Sequence, residues 1–271
     1  MKTSSPTLIH AGPVQTCGWI TALSDFHPFC LVSWGSDLLV DANRSPKWTW
    51  ISKYALQHAD LFLCDCQAVR EKAQNIYPIS DKSIVQFPWG IDPNTFSPGP
   101  PTKQPLCQDF NGPDTCIILS LRSWEAIYGI DIVLEAFNLA YQQLPQLRLL
   151  LLGDGTLAPQ VNHYIQEHNL KDVISCPGRV PNTQLPDYYR ASDLYLSCAH
   201  SDGSSISLLE AMDTGLLPIV TDAPGNCEWV DVKKGGWLAQ NGNVEAFAAS
   251  LIAAVKTPQD KREKIISHNR K

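Results

Sequence analysis

The chain has 271 residues, is 44% hydrophobic and 18% charged, and carries a formal net charge of -6. This composition suits one large or two modest globular domains with a real core. The acidic balance excludes a general nucleic-acid binder, whose affinity would come from basic residues on phosphates. No run of 18 apolar residues predicts a spanning helix, and Met1–Pro6 lacks the apolar stretch of a secretory leader.

Residues 8–40 read as strand, loop, strand, with Phe29–Trp34 a buried run ending at Gly35-Ser36-Asp37. A helix is expected over 46–59, a short strand over Leu61–Cys64, a helix over Val69–Ile76 and a strand over Ser83–Pro88. Residues 97–114 hold five prolines and two glycines, the composition of a linker. The expected organisation is therefore a first domain over 1–96, a linker over 97–114 and a second domain over 115–271.

Beyond the linker, strands and helices alternate. Strands are expected at Cys116–Ser120, Leu147–Leu152, Val173–Cys176, Leu194–Ser197 and Leu217–Thr221, with a short run at Gly236–Ala239. Helices are expected at Ile130–Gln143, Val161–Asn169, Leu185–Ala191, Ser205–Thr214 and Val244–Val255, and the charges of Lys256–Lys271 read as a solvated helix face. Continuous apolar strands between helices imply an α/β fold whose parallel sheet is covered on both faces.

The nine cysteines are odd in number, and Cys30, Cys64, Cys116 and Cys198 lie in apolar runs. Cys64-Asp65-Cys66 has no second Cys/His pair at zinc spacing, so no metal site is expected. Buried free thiols suit a reducing compartment, which predicts the cytoplasm.

The most informative stretch is Ser201-Asp202-Gly203-Ser204-Ser205-Ile206-Ser207-Leu208-Leu209-Glu210. An acid, a Gly/Ser turn and a helix start are followed by a second acid. The free N–H groups and dipole of a helix N-terminus attract anions, and small residues let a phosphate approach the backbone. A carboxylate one to two turns on can accept bonds from ligand hydroxyls. Ligands of parallel sheets bind at the carboxyl ends of the strands, where Arg122, Gly153–Gly155, Gly178–Val180 and Asp202–Ser205 all fall. Gly153-Asp154-Gly155 lacks the third glycine of a dinucleotide fingerprint.

Several of these stretches together resemble a family 4 glycosyltransferase of the GT-B fold. Asp202 to Glu210 matches that family's E-x7-E motif with Asp as the first acid. Leu208–Met212, Gly215 and Pro218–Val220 match the helix and strand that follow it. Phe87–Asp92 with Phe96 resembles the hinge entry, with Trp89 in place of Asn, and Ala59-Asp60 resembles a step near the end of the first domain.

The resemblance implies two Rossmann-like domains and a retaining transfer of a sugar from a nucleotide donor, with no metal or other cofactor. The donor is a nucleotide-diphosphate sugar serving as co-substrate. The acceptor, a saccharide, lipid or small molecule, is left open, as is peripheral membrane contact. By resemblance, Glu210 bonds the donor ribose and Asp202 lies by hydroxyls of the transferred sugar. The backbone of Gly203, Ser204 and Ser205, leading into Ile206, holds sugar and diphosphate, and Arg122 contacts the diphosphate. Arg179 and Val180 lie where the family's backbone meets the base, and Gly153 makes a tight turn near the donor.

Three departures from the family pattern stand out. Tyr128 occupies the place of a lysine about six residues after the arginine. Trp34 occupies that of a histidine before Gly35, leaving Asp37 and His10 as acceptor-side candidates. The first domain is short, because Leu8–Ala11 resembles the middle of the family's first domain; it reads as incomplete, and the chain as truncated at both ends. The alternative reading is a non-catalytic remnant that binds a nucleotide-sugar without turning it over.

Overall fold

The structure is a computed structural model that describes residues 6–100, 110 and 114–271. It divides into two units, Met1–Trp89 with Ser201–Ser204, and Gly90–His200 with Ser205–Lys271. Most of the linker expected over 97–114 lies outside the described residues.

In the first unit β1 (Ile9–Ala11), β2 (Phe29–Val32), β3 (Leu61–Cys64) and β4 (Ile84–Gln86) form a parallel sheet in that order. The stretch between β1 and β2, expected as a loop, contains a wide helical turn over Val14–Gly18 that runs into α1 (Trp19–Leu23). Of α1 only Ala22 is buried, so the segment has no apolar periodicity to announce it. α2 (Ser36–Leu39), α3 (Pro46–His58) and α4 (Gln67–Ile76) follow. α3 begins on a proline, whose fixed φ suits a first helical turn. Phe29, Leu31, Leu38, Leu56, Phe62 and Val69 form the centre of this unit's core.

Asp37 is a fixed point of that core. Its side chain is buried, and Oδ2 accepts from the Val14 amide at 2.9 Å. Its Oδ1 accepts from Ser33 Oγ at 2.5 Å, from the Leu38 amide at 2.9 Å and from the Trp34 amide at 3.2 Å. Burial pushes the Asp37 carboxyl above its usual range, while these four bonds pull it down.

The second unit runs through β5 (Cys116–Ser120), α5 (Ile130–Tyr141), β6 (Leu147–Leu152), α6 (Ala158–Glu167), β7 (Ile174–Gly178) and α7 (Leu185–Arg190). It continues with β8 (Leu194–Ser197), α8 (Ile206–Thr214), β9 (Leu217–Thr221), α9 (Pro224–Cys227), β10 (Trp237–Ala239), α10 (Val244–Val255) and α11 (Gln259–Asn269). Its six parallel strands lie in the order β10-β9-β8-β5-β6-β7. Side chains of β6 alternate between two cores, as strand geometry requires: Leu147, Leu149 and Leu151 face one, Leu150 and Leu152 the other. The first core receives Ile130, Val133, Leu134 and Phe137 from α5, at helical spacing, and α10 packs against α5. The second receives Tyr189, Tyr195 and Leu208.

α6 begins three residues earlier than expected because Pro159 falls in its first turn, and Asn169, at a φ of 54°, lies just past its end. In α11 only Ile265 is buried, which makes it the solvated helix that its charges suggested. Among the described residues no helix is long and apolar enough to cross a membrane.

Gly129 enters α5 with φ at 59°, and a Cβ there would overlap the carbonyl oxygen of Cys198, which follows β8. The glycine therefore sets how closely the loop after β5 approaches the loop after β8. Gly129→Ala is expected to cost about 2 kcal/mol or more, from the left-handed backbone alone plus the overlap. A urea midpoint equal to wild type would refute this. Asp37→Asn places an amide N–H against at least one of four donors and is expected to cost about 1–3 kcal/mol. That loss is read as a lower denaturation midpoint by tryptophan fluorescence.

Candidate functional site

In a parallel sheet all strand carboxyl ends share one edge, and a ligand crevice opens where the winding reverses. In the second unit the chain winds from β5 to β6 and β7, then crosses to β8 on the other side of β5. The reversal therefore lies between β5 and β8. Arg122 follows β5 by two residues, and Ser205, reached through the loop after β8, is the N-cap of α8.

These two meet. Arg122 Nη1 donates to Ser205 Oγ at 3.0 Å. Ser205 is buried, and its side chain makes no capping bond to α8, so its hydroxyl serves the arginine instead. The Arg122 guanidinium lies over the ring of Tyr128 at 4.3 Å, a cation–π contact. Tyr128, at the place where the resemblance implies a lysine, thus lies against the arginine.

Beside Arg122 a cleft of about 370 Å³ is lined by Leu121, Gly153, Asp154, Arg179, Val180 and Asn182 among others. Three residues chosen on sequence grounds, Gly153, Arg179 and Val180, converge there. Gly153 has a physical reason to be glycine: its φ is 111°, and a Cβ would come within 2.7 Å of the Arg122 carbonyl oxygen. Its amide donates to the Gly178 carbonyl at 2.9 Å, joining the β6 and β7 loops. Asn182 and Leu121 were not singled out in the sequence, because nothing in their local pattern differs from ordinary loop residues.

Glu210 lies on α8, half-buried, and its Oε2 accepts from the Tyr189 hydroxyl at 2.8 Å. Burial raises the Glu210 carboxyl above its usual range, and the bond from Tyr189 acts in the opposite direction. Burial also pushes the Tyr189 phenol well above its usual value, so it remains a proton donor. Ile206, the first residue of α8, is exposed.

The segment Ser201–Ser204 belongs to the first unit. There Ser204 is tied to Asp65, a buried residue just past β3: its amide donates to Asp65 Oδ2 and its hydroxyl to the Asp65 carbonyl, both at 2.8 Å. A Cβ on Gly203 would overlap the same carboxylate, which explains the glycine. Asp202, just before Gly203, is half-buried. Also in this unit, His10 is exposed on β1, while the carboxylate of Asp37 accepts four bonds from its own unit. Among the described residues no three His, Cys, Asp or Glu side chains are grouped to hold a metal. The described cysteines are free thiols, five of them buried and Cys17, Cys176 and Cys227 exposed.

Residues 109–271 match the family described as glycosyl transferases group 1. Mannosylfructose-phosphate synthase of Agrobacterium fabrum is 29% identical over 154 residues, covering 54% of this chain and 34% of that one. The putative colanic acid biosynthesis glycosyltransferase WcaL of Escherichia coli is 26% identical over 188 residues, covering 67% and 44%. The chain thus spans about a third to a half of the length of these curated relatives. Among solved structures, HepE of Anabaena in complex with UDP-glucose matches with a TM-score of 0.83 at 19% identity, covering 97% of this chain and 72% of that one. The pneumococcal O-GlcNAc transferase GtfA, in complex with UDP and GlcNAc, matches at 0.73 and 19%, covering 97% and 52%. These likenesses identify the α/β architecture as the GT-B fold. With more than half of its length matched, the chain belongs to the glycosyl transferases group 1 family.

Proposed function

We propose that the chain binds a nucleoside-diphosphate sugar through its second unit and takes part in a retaining, family 4 transfer of a hexose-like sugar, without a metal or other cofactor. The observation that carries this reading is the Arg122–Ser205 bond at the β5/β8 reversal. It puts a guanidinium at the N-terminus of α8, where a helix dipole and a fixed cation act on the same anion. The base would occupy the cleft beside Arg179 and Val180, and Glu210 would accept from the ribose. Asp202 would lie by the transferred sugar, with the backbone from Gly203 to Ser205 on the sugar and diphosphate. Arg122 and the helix N-terminus would then stabilise the negative charge that grows on the departing diphosphate. The UDP-glucose complex of the Anabaena relative supports a uridine donor as the first to be tried.

One observation favours a binding-only reading. Tyr128 stands under Arg122 where the family resemblance implies a lysine, so the diphosphate meets one cation fewer. Calorimetry with UDP and GDP, followed by transfer and hydrolysis assays with UDP-glucose and GDP-mannose, separates the two. UDP is expected to bind, and Arg122→Ala and Glu210→Ala are each expected to weaken it about tenfold or more. Absence of heat with either nucleotide would sink the donor-site reading. Nucleotide binding without any turnover of donor would leave the binding-only one.

A further inference from the structure

Two sets of polar contacts lie beneath the start of α8, one reaching Glu210 and the other reaching Arg122. Tyr189, on α7, is fully buried and packs edge-on against Phe96 at 5.6 Å. Its hydroxyl lies 2.8 Å from Glu210 Oε2 and 3.2 Å from the main-chain oxygen of Ser207. Ser207 Oγ meets the Tyr195 hydroxyl at 2.8 Å and Ser205 Oγ at 3.3 Å, and Ser205 Oγ accepts from Arg122. A phenol has a single hydrogen to give, and the carboxylate is the closer and stronger acceptor.

We propose that Tyr189 is a positioning residue for ligand binding: by holding Oε2 of Glu210 it fixes the carboxylate so that Oε1 is presented to the nucleotide. This rests on the donor-site reading above. Among the described residues Oε1 accepts no hydrogen bond. The Tyr189 ring cannot swing away, because the second core of the unit encloses it.

The arrangement has a pH signature. α8 packs against α7, β9 and α11. Asp187, Tyr188 and Arg190 share α7 with Tyr189, β9 carries no ionisable side chain, and Arg270 just past α11 pairs with Asp213 of α8 at 3.3 Å. Of these groups Tyr189 is the one that bonds Glu210, and its bond lowers the acid's pKa against the larger effect of burial. Removing the bond raises that pKa further. Glu210 then takes up its proton at a higher pH, and affinity that depends on the carboxylate is lost sooner as pH falls.

The test is the dissociation constant of UDP from pH 5 to 8 for the 271-residue chain and its Tyr189→Phe, Tyr195→Phe and Glu210→Gln variants, with thermal melts to verify folding. Glu210→Gln is expected to weaken binding and flatten its acid limb. Tyr189→Phe is expected to weaken binding about tenfold and move the acid limb upward. Tyr195→Phe, which removes an equally buried hydroxyl that does not touch Glu210, leaves the limb in place. If Glu210→Gln weakens binding and Tyr189→Phe matches wild type, the Tyr189 role is overturned and the donor site stands. If Glu210→Gln also matches wild type, Glu210 does not hold the nucleotide and the proposal falls, whereas absence of UDP binding by the wild-type chain would sink the donor-site reading itself. Should Tyr189→Phe not fold, 3-fluorotyrosine in the wild-type chain gives a second readout. The Tyr189 fluorine signal moves with the acid limb if the phenol donates to Glu210, and a signal that stays still overturns the role.

Discussion

Every strand in the second unit delivers its carboxyl end to the same edge, and the chain reverses its winding once, between β5 and β8. Helices that cover the sheet diverge at such a reversal, so a crevice opens without any residue being spent to make it. What the sequence adds is the residues that line it. Arg122 is placed by β5, Gly153 by β6, Arg179 by β7, and Ser205 by the loop after β8. Gly129 and Gly153 let these loops close on one another, since a Cβ at either would meet the backbone of a neighbouring loop. The crevice thus depends on two glycines that let its loops close.

The polar contacts under α8 follow from the same geometry. Ser205 would ordinarily cap its helix, a contribution of about 1 kcal/mol. Here its hydroxyl accepts from Arg122, and the amides of the first turn stay available to an anion. Placing Tyr189, Tyr195, Ser207 and Glu210 around a largely apolar core is tolerable because hydrogen bonds join Tyr189 to Glu210 and Tyr195 to Ser207. Such a network in a low dielectric is stiff, since each lost bond strands a buried group. Stiffness suits a site whose proposed work is to hold charges in place before a ligand arrives.

How much of this was legible depended on the range of the interactions. β6 and β9 read directly as apolar runs because both of their faces are covered, and α5 and α10 as helices because their apolar spacing persists for three turns. Arg122, Gly153 and Arg179 could be picked out because strand ends are where ligands meet parallel sheets. The helical segment Val14–Leu23 and the four-residue α9 were not legible, being too short to display a period. Tyr189 drew no notice within its helix, since its acceptor lies 21 residues further on in another helix. Asp65 drew notice only as the middle of a Cys-x-Cys, whereas its partner Ser204 lies 139 residues away. Long-range polar pairs leave no local pattern, and these are what fix the loops around the motif.

Tyr128, at the position where the family resemblance implies a lysine, bears on how the proposed site would treat a diphosphate. A helix N-terminus supplies roughly half a positive charge, and Arg122 adds a full charge beside it. The ring at 4.3 Å adds no charge, but a cation–π contact of about 0.5–2 kcal/mol limits where the guanidinium can point. Ser205 limits it from the other side. A single cation so constrained gives up less rotamer freedom when a phosphate binds than a free arginine would. The two contacts therefore preorganise the guanidinium. In the proposed role, the hold on a diphosphate would lean on a side chain whose direction is set by a tyrosine and a serine.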